Sequence, residues 1–425
     1  MTVESATYVT QLNSNFPQGV DPRSRGDDHL RLIKNVLKST FPSLDTDLMT
    51  EMRSLYWLSA TDPKYGATGD GVTDDKAAIE LWLDDVIATQ KAGYLPYGTY
   101  LCSDAISKVI ANGITLYGEG ILRASGSNRQ IHIKFTGSTG NVYIDGPTFD
   151  GDGKTARTLS IENASTTRKD CILTNKTRII RTRNNTPDTY SASGLFIRGG
   201  FRKVFVDCFV DDTDSTSTSG AVATGVNVLE FATAGQSPLC TVAGPNVRVL
   251  NTKNSNASVA DADGFKVSAS ITETDLMFIV CPGAYFENNK GRAIKSQIAN
   301  NKIFGASILR DAYDGITEIA LQYANGTVEG CNIIHNGYTT PVCIGGSYRT
   351  SPVTKYMNVT GNTLRVLGTP ATDGVALIEF DATANTAPVS NPLVTGNRVY
   401  GTLDYFATVR SANVAGNSIT LKDNW

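Results

Sequence analysis

Histidine is nearly absent. The 425 residues hold three, His29, His132 and His335. None has a second His or Cys at the spacing of metal ligands, so no metal centre and no cofactor site is expected. No G-x-S-x-G elbow occurs, which speaks against a Ser-His-Asp hydrolase of that type. The seven cysteines are odd in number and form no C-x-x-C pair. Most lie inside apolar runs such as Asp207-Cys208-Phe209 and Gly330-Cys331-Asn332 and read as small buried hydrophobes kept reduced. Charge is also scarce, at 19% of residues, and 38 Lys and Arg against 41 Asp and Glu give a net charge of −3. A nucleic-acid groove needs a basic surface, so no nucleic-acid partner is expected. No run of 18 apolar residues exists, so no membrane insertion is expected. Met1 to Phe16 has neither a basic nor an apolar leader region, and no Sec-type signal peptide is expected. Proline, at 15, is too rare for a Pro/Gly linker protein.

What is abundant is Thr, Gly and Asn, with 49, 39 and 30 residues, beside a hydrophobic fraction of 40%. Thr favours strands, and Gly and Asn tolerate left-handed turns. The composition therefore predicts many short strands joined by tight turns. A repeating unit supports this. Val359-Thr360-Gly361-Asn362-Thr363-Leu364 returns as Val394-Thr395-Gly396-Asn397-Arg398-Val399 and as Val414-Ala415-Gly416-Asn417-Ser418-Ile419. Looser copies stand around Asn301 and Asn332. The asparagines 301, 332, 362, 397 and 417 are 31, 30, 35 and 20 apart. A second series begins at Gly264, Gly291, Gly315 and Gly374. Repeats of this length with two or three short strands each mark a β-solenoid. The predicted fold is all-β, a right-handed parallel β-helix over about 64–423. It should have roughly 11–13 coils and a length of about 55 Å at about 4.8 Å per coil. The Gly-Asn units are expected to stack as an asparagine ladder at one corner.

The first 60 residues differ. Leu30, Ile33 and Leu37 lie on one face of a helix that ends near Phe41-Pro42, and a second helix is expected from about Thr46 to Leu58. Two short helices cannot bury their apolar faces alone. The ordered run Tyr8-Val9-Thr10-Gln11-Leu12-Asn13, Phe16-Pro17, Gly19, Asp21-Pro22, Gly26-Asp27-Asp28-His29-Leu30-Arg31-Leu32-Ile33-Lys34 and Phe41-Pro42 resembles the N-terminal module of bacteriophage tail fibres and tailspikes. The resemblance covers residues 1–45 and implies attachment to a tail or adaptor protein of the virion, with localisation in the phage tail. It also implies a homotrimer.

After it, Tyr65-Gly66-Ala67-Thr68-Gly69-Asp70-Gly71-Val72-Thr73-Asp74-Asp75 precedes a helix over 74–90. Its stripe is Ile79, Trp82, Leu83, Val86 and Ile87, with Thr73 or Asp74 as the expected N-cap. Gly93-Tyr94-Leu95-Pro96-Tyr97-Gly98-Thr99-Tyr100 reads as strand, turn, strand, and Ile114 to Gly120 as another strand. This order resembles the start of the pectate-lyase-like right-handed β-helix superfamily, in which such a helix caps the open end of the solenoid. The expected domains are a helical attachment module, 1–60, and a receptor-binding β-helix, 61–425. The last repeat runs to Asn424-Trp425, so recognition is expected on the helix wall or its loops.

Candidate chemistry is carried by acidic residues. Asp145-Gly146 and Phe149-Asp150-Gly151-Asp152-Gly153 are first of all turns. Asp261, Asp263, Asp314 and Asp373 stand out, and the last three each precede a glycine that opens a strand. If Gly264, Gly291 and Gly315 start successive coils, Asp263 and Asp314 lie two rungs apart, roughly 9–10 Å, a spacing suited to an inverting glycoside hydrolase. In Thr317-Glu318-Ile319-Ala320-Leu321-Gln322, alternation turns Ile319 and Leu321 inward and Glu318 and Gln322 to solvent. Asp263, Asp314 and Glu318 are thus the candidate catalytic groups. Lys266, Arg292 and Lys295, with Gln322, are candidates to hold an acidic sugar. Tyr285, Tyr313, Tyr323, Tyr338 and Tyr348 could stack on sugar rings.

Three functions compete: a tailspike that binds host surface polysaccharide (lipopolysaccharide or capsule) and cleaves it, a fibre that only adheres, and a cellular polysaccharide lyase or hydrolase. The attachment resemblance and the missing leader weaken the third. Fold does not separate the first two.

Overall fold

The computed structural model describes residues 6–7, 11–12, 26–40, 57–137, 140–165, 167–185, 191–217, 222–230, 236–256, 261–269, 275–311, 317–322, 325–336, 342–347, 357–367, 376–381, 393–401, 405–410 and 420–422. The chain divides into two compact units, residues 1–58 and 59–425.

In the first unit a helix, α1, runs Gly26–Thr40. Val36 is buried, while Leu30, Ile33 and Leu37 are 57%, 42% and 39% exposed. The apolar face seen in the sequence is therefore present and open. The second expected helix fails at its end, because Trp57–Ser59 is a strand, the first of a sheet. Residues 46–56 lie outside the described ones.

The second unit is a coil that repeats strand, strand, strand. Among the described residues its strands stack into three parallel sheets of 13, 12 and 11 strands. The first, second and third sheets begin at Trp57–Ser59, Asp70–Asp74 and Ile106–Val109, and each strand pairs with those one coil before and one coil after. Parallel crossovers of this kind wind right-handed, and the architecture is the expected right-handed parallel β-helix. Alternate residues of each strand fill the interior. Phe265 of the third sheet stacks on Phe278 of the first at a centroid distance of 5.4 Å.

A helix, α2, spans Lys76–Thr89 and buries Ile79, Trp82, Leu83 and Val86. Trp82 packs on the Cα of Gly93, where an added Cβ would come within 2.7 Å of the indole. The helix thus covers the core of the first coil, which would otherwise be open to water. Its N-cap is Asp75, not Thr73 or Asp74. The Asp75 carboxylate does not cap the helix. It accepts from Thr68 N, Thr68 Oγ1 and Gly69 N at 2.7, 3.0 and 3.0 Å and so ties the preceding loop to the helix start.

The asparagine ladder exists in part. Asn362 Nδ2 donates to Asn397 Oδ1 at 2.9 Å, and Cys331 N donates to Asn362 Oδ1 at 2.9 Å. The column below continues through Cys331, Ala306, Ala284, Val247, Cys208 and Thr177, whose carbonyls accept from the next coil's second-sheet strand. Asn332 and Asn301 do not belong to it: Asn332 is exposed and Asn301 sits in a first-sheet strand. Asn417 lies outside the described residues. Two of the buried cysteines are therefore corner residues of a stack, as their apolar surroundings suggested.

Candidate functional site on the outer face of the third sheet

The second-sheet strands Arg178–Asn184, Phe209–Ser215 and Arg248–Asn254 bend at non-glycine residues in the left-handed region, Arg181, Asp212 and Asn251, and Asn288 takes the same conformation just after Tyr285–Glu287, with φ between 50° and 55°. Asn and Asp tolerate this conformation. Arg181 is held there by ion pairs to Asp150 and Asp152. Asp150 is fully buried and also takes Arg123 Nε at 3.0 Å. The Asp-Gly segment at 150–153 is thus structural.

Past the bend, Gly194, Gly225 and Gly264 stand above one another, followed by Ala293. A Cβ on Gly225 would lie 2.5 Å from Val249 Cγ1 and 2.8 Å from Gly264 O. The in-register glycines are therefore 194, 225 and 264, and Gly291 is not one of them; Gly315 lies outside the described residues. Gly291 instead donates its N–H to Ala262 O, two residues ahead of Gly264. This local crowding sends Asp263, just before Gly264, to the outside. It pairs in register with Thr224, Thr224 with Ser193, and Ser193 with Arg157.

Three residues further along, Ser160, Phe196, Asn227, Lys266, Lys295 and Ala320 form the next outward column. Lys295 stands between Ile294 and Ser296, both fully buried in the core. A third column holds Gln297, whose Nε2 donates to Gln322 Oε1 at 2.8 Å. From Arg157 to Gln322 these columns cross six coils, about 24 Å at about 4.8 Å per step.

The face is polar yet well covered. Ser193, Thr224, Phe196, Asn227, Asp263 and Lys295 are all buried. The Arg157 guanidinium lies 3.7 Å from the centre of the Phe196 ring. Thr224 Oγ1 and Asn227 Oδ1 are buried without a hydrogen-bond partner among the described residues. Buried polar atoms normally find partners, and these two are covered acceptors whose partners are not among the described residues.

At its centre Arg292 and Lys295 each bridge two carboxylates. Arg292 Nη1 donates to Asp261 and, at 3.0 Å, to Asp263. Lys295 Nζ is 3.3 Å from Asp261 and 3.4 Å from Asp263. Burial raises the pKa of the Asp261 carboxyl, but the two cations outweigh it and hold it below its ordinary value. The same pairs hold Arg292 above its ordinary value against the burial that pulls it down. Lys266, one coil below Lys295, is in no ion pair among the described residues. Burial, reinforced by the charge of Lys295, pushes its pKa down, and the more distant Asp263 and Asp261 do not restore it.

The structure thus brings together Asp263, Lys266, Arg292, Lys295 and Gln322 on one outer face. Glu318 is a correction. It is 2% exposed and does not face solvent. Arg310 donates to both its oxygens, through Nη2 at 2.8 Å and through Nε, and His335 Nε2 is 3.8 Å away. Arg310 and His335 share the inward parity of Ile308 and Ile333, so the cluster is internal. Alternation misleads here because the strand start at the bend places two neighbours, Glu318 and Ile319, inside. Gln322 points outward as expected but is covered, at 7% exposure. Asp314, Asp373, Tyr313, Tyr323, Tyr338 and Tyr348 lie outside the described residues. Reading the sequence missed Asn227 and the Arg157–Phe196 pair, while Asp261, singled out beside Asp263, does join the cluster. Only the register of unequal repeats brings these together. Among the described residues no three His, Cys, Asp or Glu side chains converge as metal ligands would.

Comparison with known proteins follows the fold. No curated protein matches the chain in sequence. Among solved structures, the chain is similar to the A-module of a mannuronan C-5 epimerase from Azotobacter vinelandii, with TM-score 0.46 and 15% identity over 87% of this chain and 94% of that one. It is similar to a protein of Geobacillus virus E2, with TM-score 0.41 and 12% identity over 87% of this chain, and spans 64% of that protein's length. It is similar to the Dettilon tailspike protein, with TM-score 0.38 and 13% identity over 85% of this chain and 69% of that one. At these values none of them carries an argument about what this chain does. Residues 57–227 match the family model described as rhamnogalacturonase A/epimerase, pectate lyase-like, and the stacked three-sheet coils of the second unit are those of a right-handed parallel β-helix.

Proposed function

We propose that the protein is a phage tail fibre or tailspike whose third-sheet face binds an acidic host surface polysaccharide, of capsule or lipopolysaccharide. The observation that carries this is the six-coil outward row: an Arg-covered ring, polar side chains at Thr224 and Asn227, and Lys266, in no ion pair among the described residues, beside a neutralised carboxylate cluster. A long sugar chain needs an extended groove, and a solenoid wall supplies one. An unpaired, partly desolvated ammonium selects a carboxylate or phosphate. The name of the matching family, with its rhamnogalacturonase and epimerase, agrees with a carbohydrate on this fold. Residues 1–45 attach the chain to a virion tail protein, and the open face of α1 supports a homotrimer.

The test is calorimetric titration of the full chain with a panel of charged and neutral bacterial polysaccharides. Binding to a charged member, weakened at least about tenfold by Lys266→Ala, is the expected result. Equal affinity for neutral dextran would overturn it.

Cleavage is a second reading, favoured by the lowered pKa of Lys266, which readies its amine to exchange a proton on the face that also carries Asp263. Glu318, clamped by Arg310, is out of reach of that face. If the chain cleaves, Asp263→Asn reduces shortening of the bound polysaccharide by a factor of about 100, read by size-exclusion chromatography. Binding without any shortening assigns the protein to adhesion.

A further inference from the structure

A second outward column, on a different sheet, has its own chemistry. Thr148, Arg178, Phe209, Arg248, Tyr285 and Ser307 are register partners up the outer face of the second sheet. The sequence disguises this, because the repeats between these residues have unequal lengths. Guanidinium and aromatic ring alternate coil by coil. Arg178 lies 4.1 Å from the centre of the Phe209 ring, and Arg248 lies 5.2 Å from that of Tyr285. Rings next to guanidinium planes fix them without using their N–H edges.

Those edges are unspent. Neither Arg178 nor Arg248 is in an ion pair or side-chain hydrogen bond among the described residues, and both are exposed. The acidic groups nearby are already engaged. Glu287 accepts from Tyr285 Oη at 3.0 Å, and Asp145 pairs with Lys176 at 3.5 Å. Asp207 accepts from Asn246 N and Nδ2 at 2.7 and 2.9 Å. Between the two arginines opens a depression of about 530 Å³ lined by Asn175, Lys176, Arg178, Phe209, Asn246 and Arg248. It holds three cations, two amides and one ring, and no carboxylate lines it.

We propose that this depression is a second binding site for an anionic polysaccharide, separate from the third-sheet face. Arg178 and Arg248 stand two coils apart, about 9.6 Å along the axis. They would take carboxylate or phosphate groups from successive parts of one sugar chain, each as a bidentate pair. Asn175 and Asn246 line the same depression, with the Nδ2 of Asn246 already given to Asp207. A glycan fits better than a nucleic acid, because both rings of the column are already accompanied by guanidinium groups rather than open for base stacking.

The experiment is titration of the full chain with polygalacturonate fragments, with neutral dextran and a single-stranded oligothymidylate as comparison probes. Wild type is expected to show two binding events per chain. Arg178→Gln with Arg248→Gln removes one and leaves the thermal transition unchanged, since both side chains are exposed. Arg248→Lys, which keeps charge but not the fork, weakens the same event at least about tenfold. Lys266→Ala removes the other. Two events persisting in the double glutamine variant, or a single event lost only with Lys266→Ala, overturns the second site and leaves the proposed function standing. A single event lost only in the arginine variants does the reverse. No binding of polygalacturonate, or tighter binding of the oligothymidylate, overturns the inference as well.

Discussion

Lys266 is an unusual lysine because its neighbours are spoken for. Arg292 and Lys295 satisfy Asp261 and Asp263, so no carboxylate is left for it. With its pKa below the ordinary 10.5, it loses its charge at a lower pH than a surface lysine. Affinity for an acidic polysaccharide should therefore fall as pH rises through that lowered value, and Lys266→Arg should abolish the fall. A pH series of titrations that is flat in wild type would refute this. His132 gives a stability prediction of definite sign. Its Nε2 bonds Leu122 O at 3.1 Å, its Nδ1 has no partner among the described residues, and burial drives its pKa down to about 4. Between pH 6.5 and 4 the unfolded chain binds a proton that the folded one refuses, so stability falls as pH falls through that window. The loss totals about 3 kcal/mol. Urea melts of His132→Gln should show a shallower acid limb. Glu318 separates structure from catalysis. Glu318→Gln leaves Arg310 buried without its counter-charge and should cost about 3–5 kcal/mol. A variant with wild-type stability and lost cleavage would return Glu318 to the chemistry.

Elements explain which parts of this were legible in the sequence. The capping helix was, because Ile79, Trp82, Leu83 and Val86 repeat at helical spacing and all are buried. The turns of the ladder were, because Gly361 and Gly396 occupy φ of 62° and 63°, which glycine adopts at no cost. Register was not. Gly291 resembles Gly264 in sequence, but which glycine belongs to the inward column is decided by Val210 and Val249 of another sheet, which crowd Gly194 and Gly225. The candidate face was half legible. Asp263, Lys266, Arg292 and Lys295 lie within 33 residues and one coil step of each other. Arg157 and Phe196 meet only through stacking of coils whose lengths differ. Gly225→Ala tests the column directly. The new methyl collides with Val249 and with the Gly264 carbonyl, and overpacking of this kind costs about 1–3 kcal/mol. A thermal transition unchanged from wild type would show that the wall can yield there.

At the scale of the molecule the division at residue 58 sets what each part must do. The β-helix supplies its own cap through α2 and its own core. The first unit shows the opposite condition. Leu30, Ile33 and Leu37 stand exposed along one side of α1, and a short helix with an open apolar face gains stability mainly from packing on another surface. Closed symmetry among identical chains and contact with a tail protein would both cover such a face. Deleting residues 1–45 should therefore leave the thermal transition of the β-helix and its polysaccharide binding in place while abolishing attachment to virions. The substitutions Leu30→Glu and Ile33→Glu together should do the same in the full chain. Light scattering decides the copy number: wild type is expected at three times the mass of one chain. A monomer in wild type would end the trimer, and particles that retain the truncated chain would end the attachment role of residues 1–45.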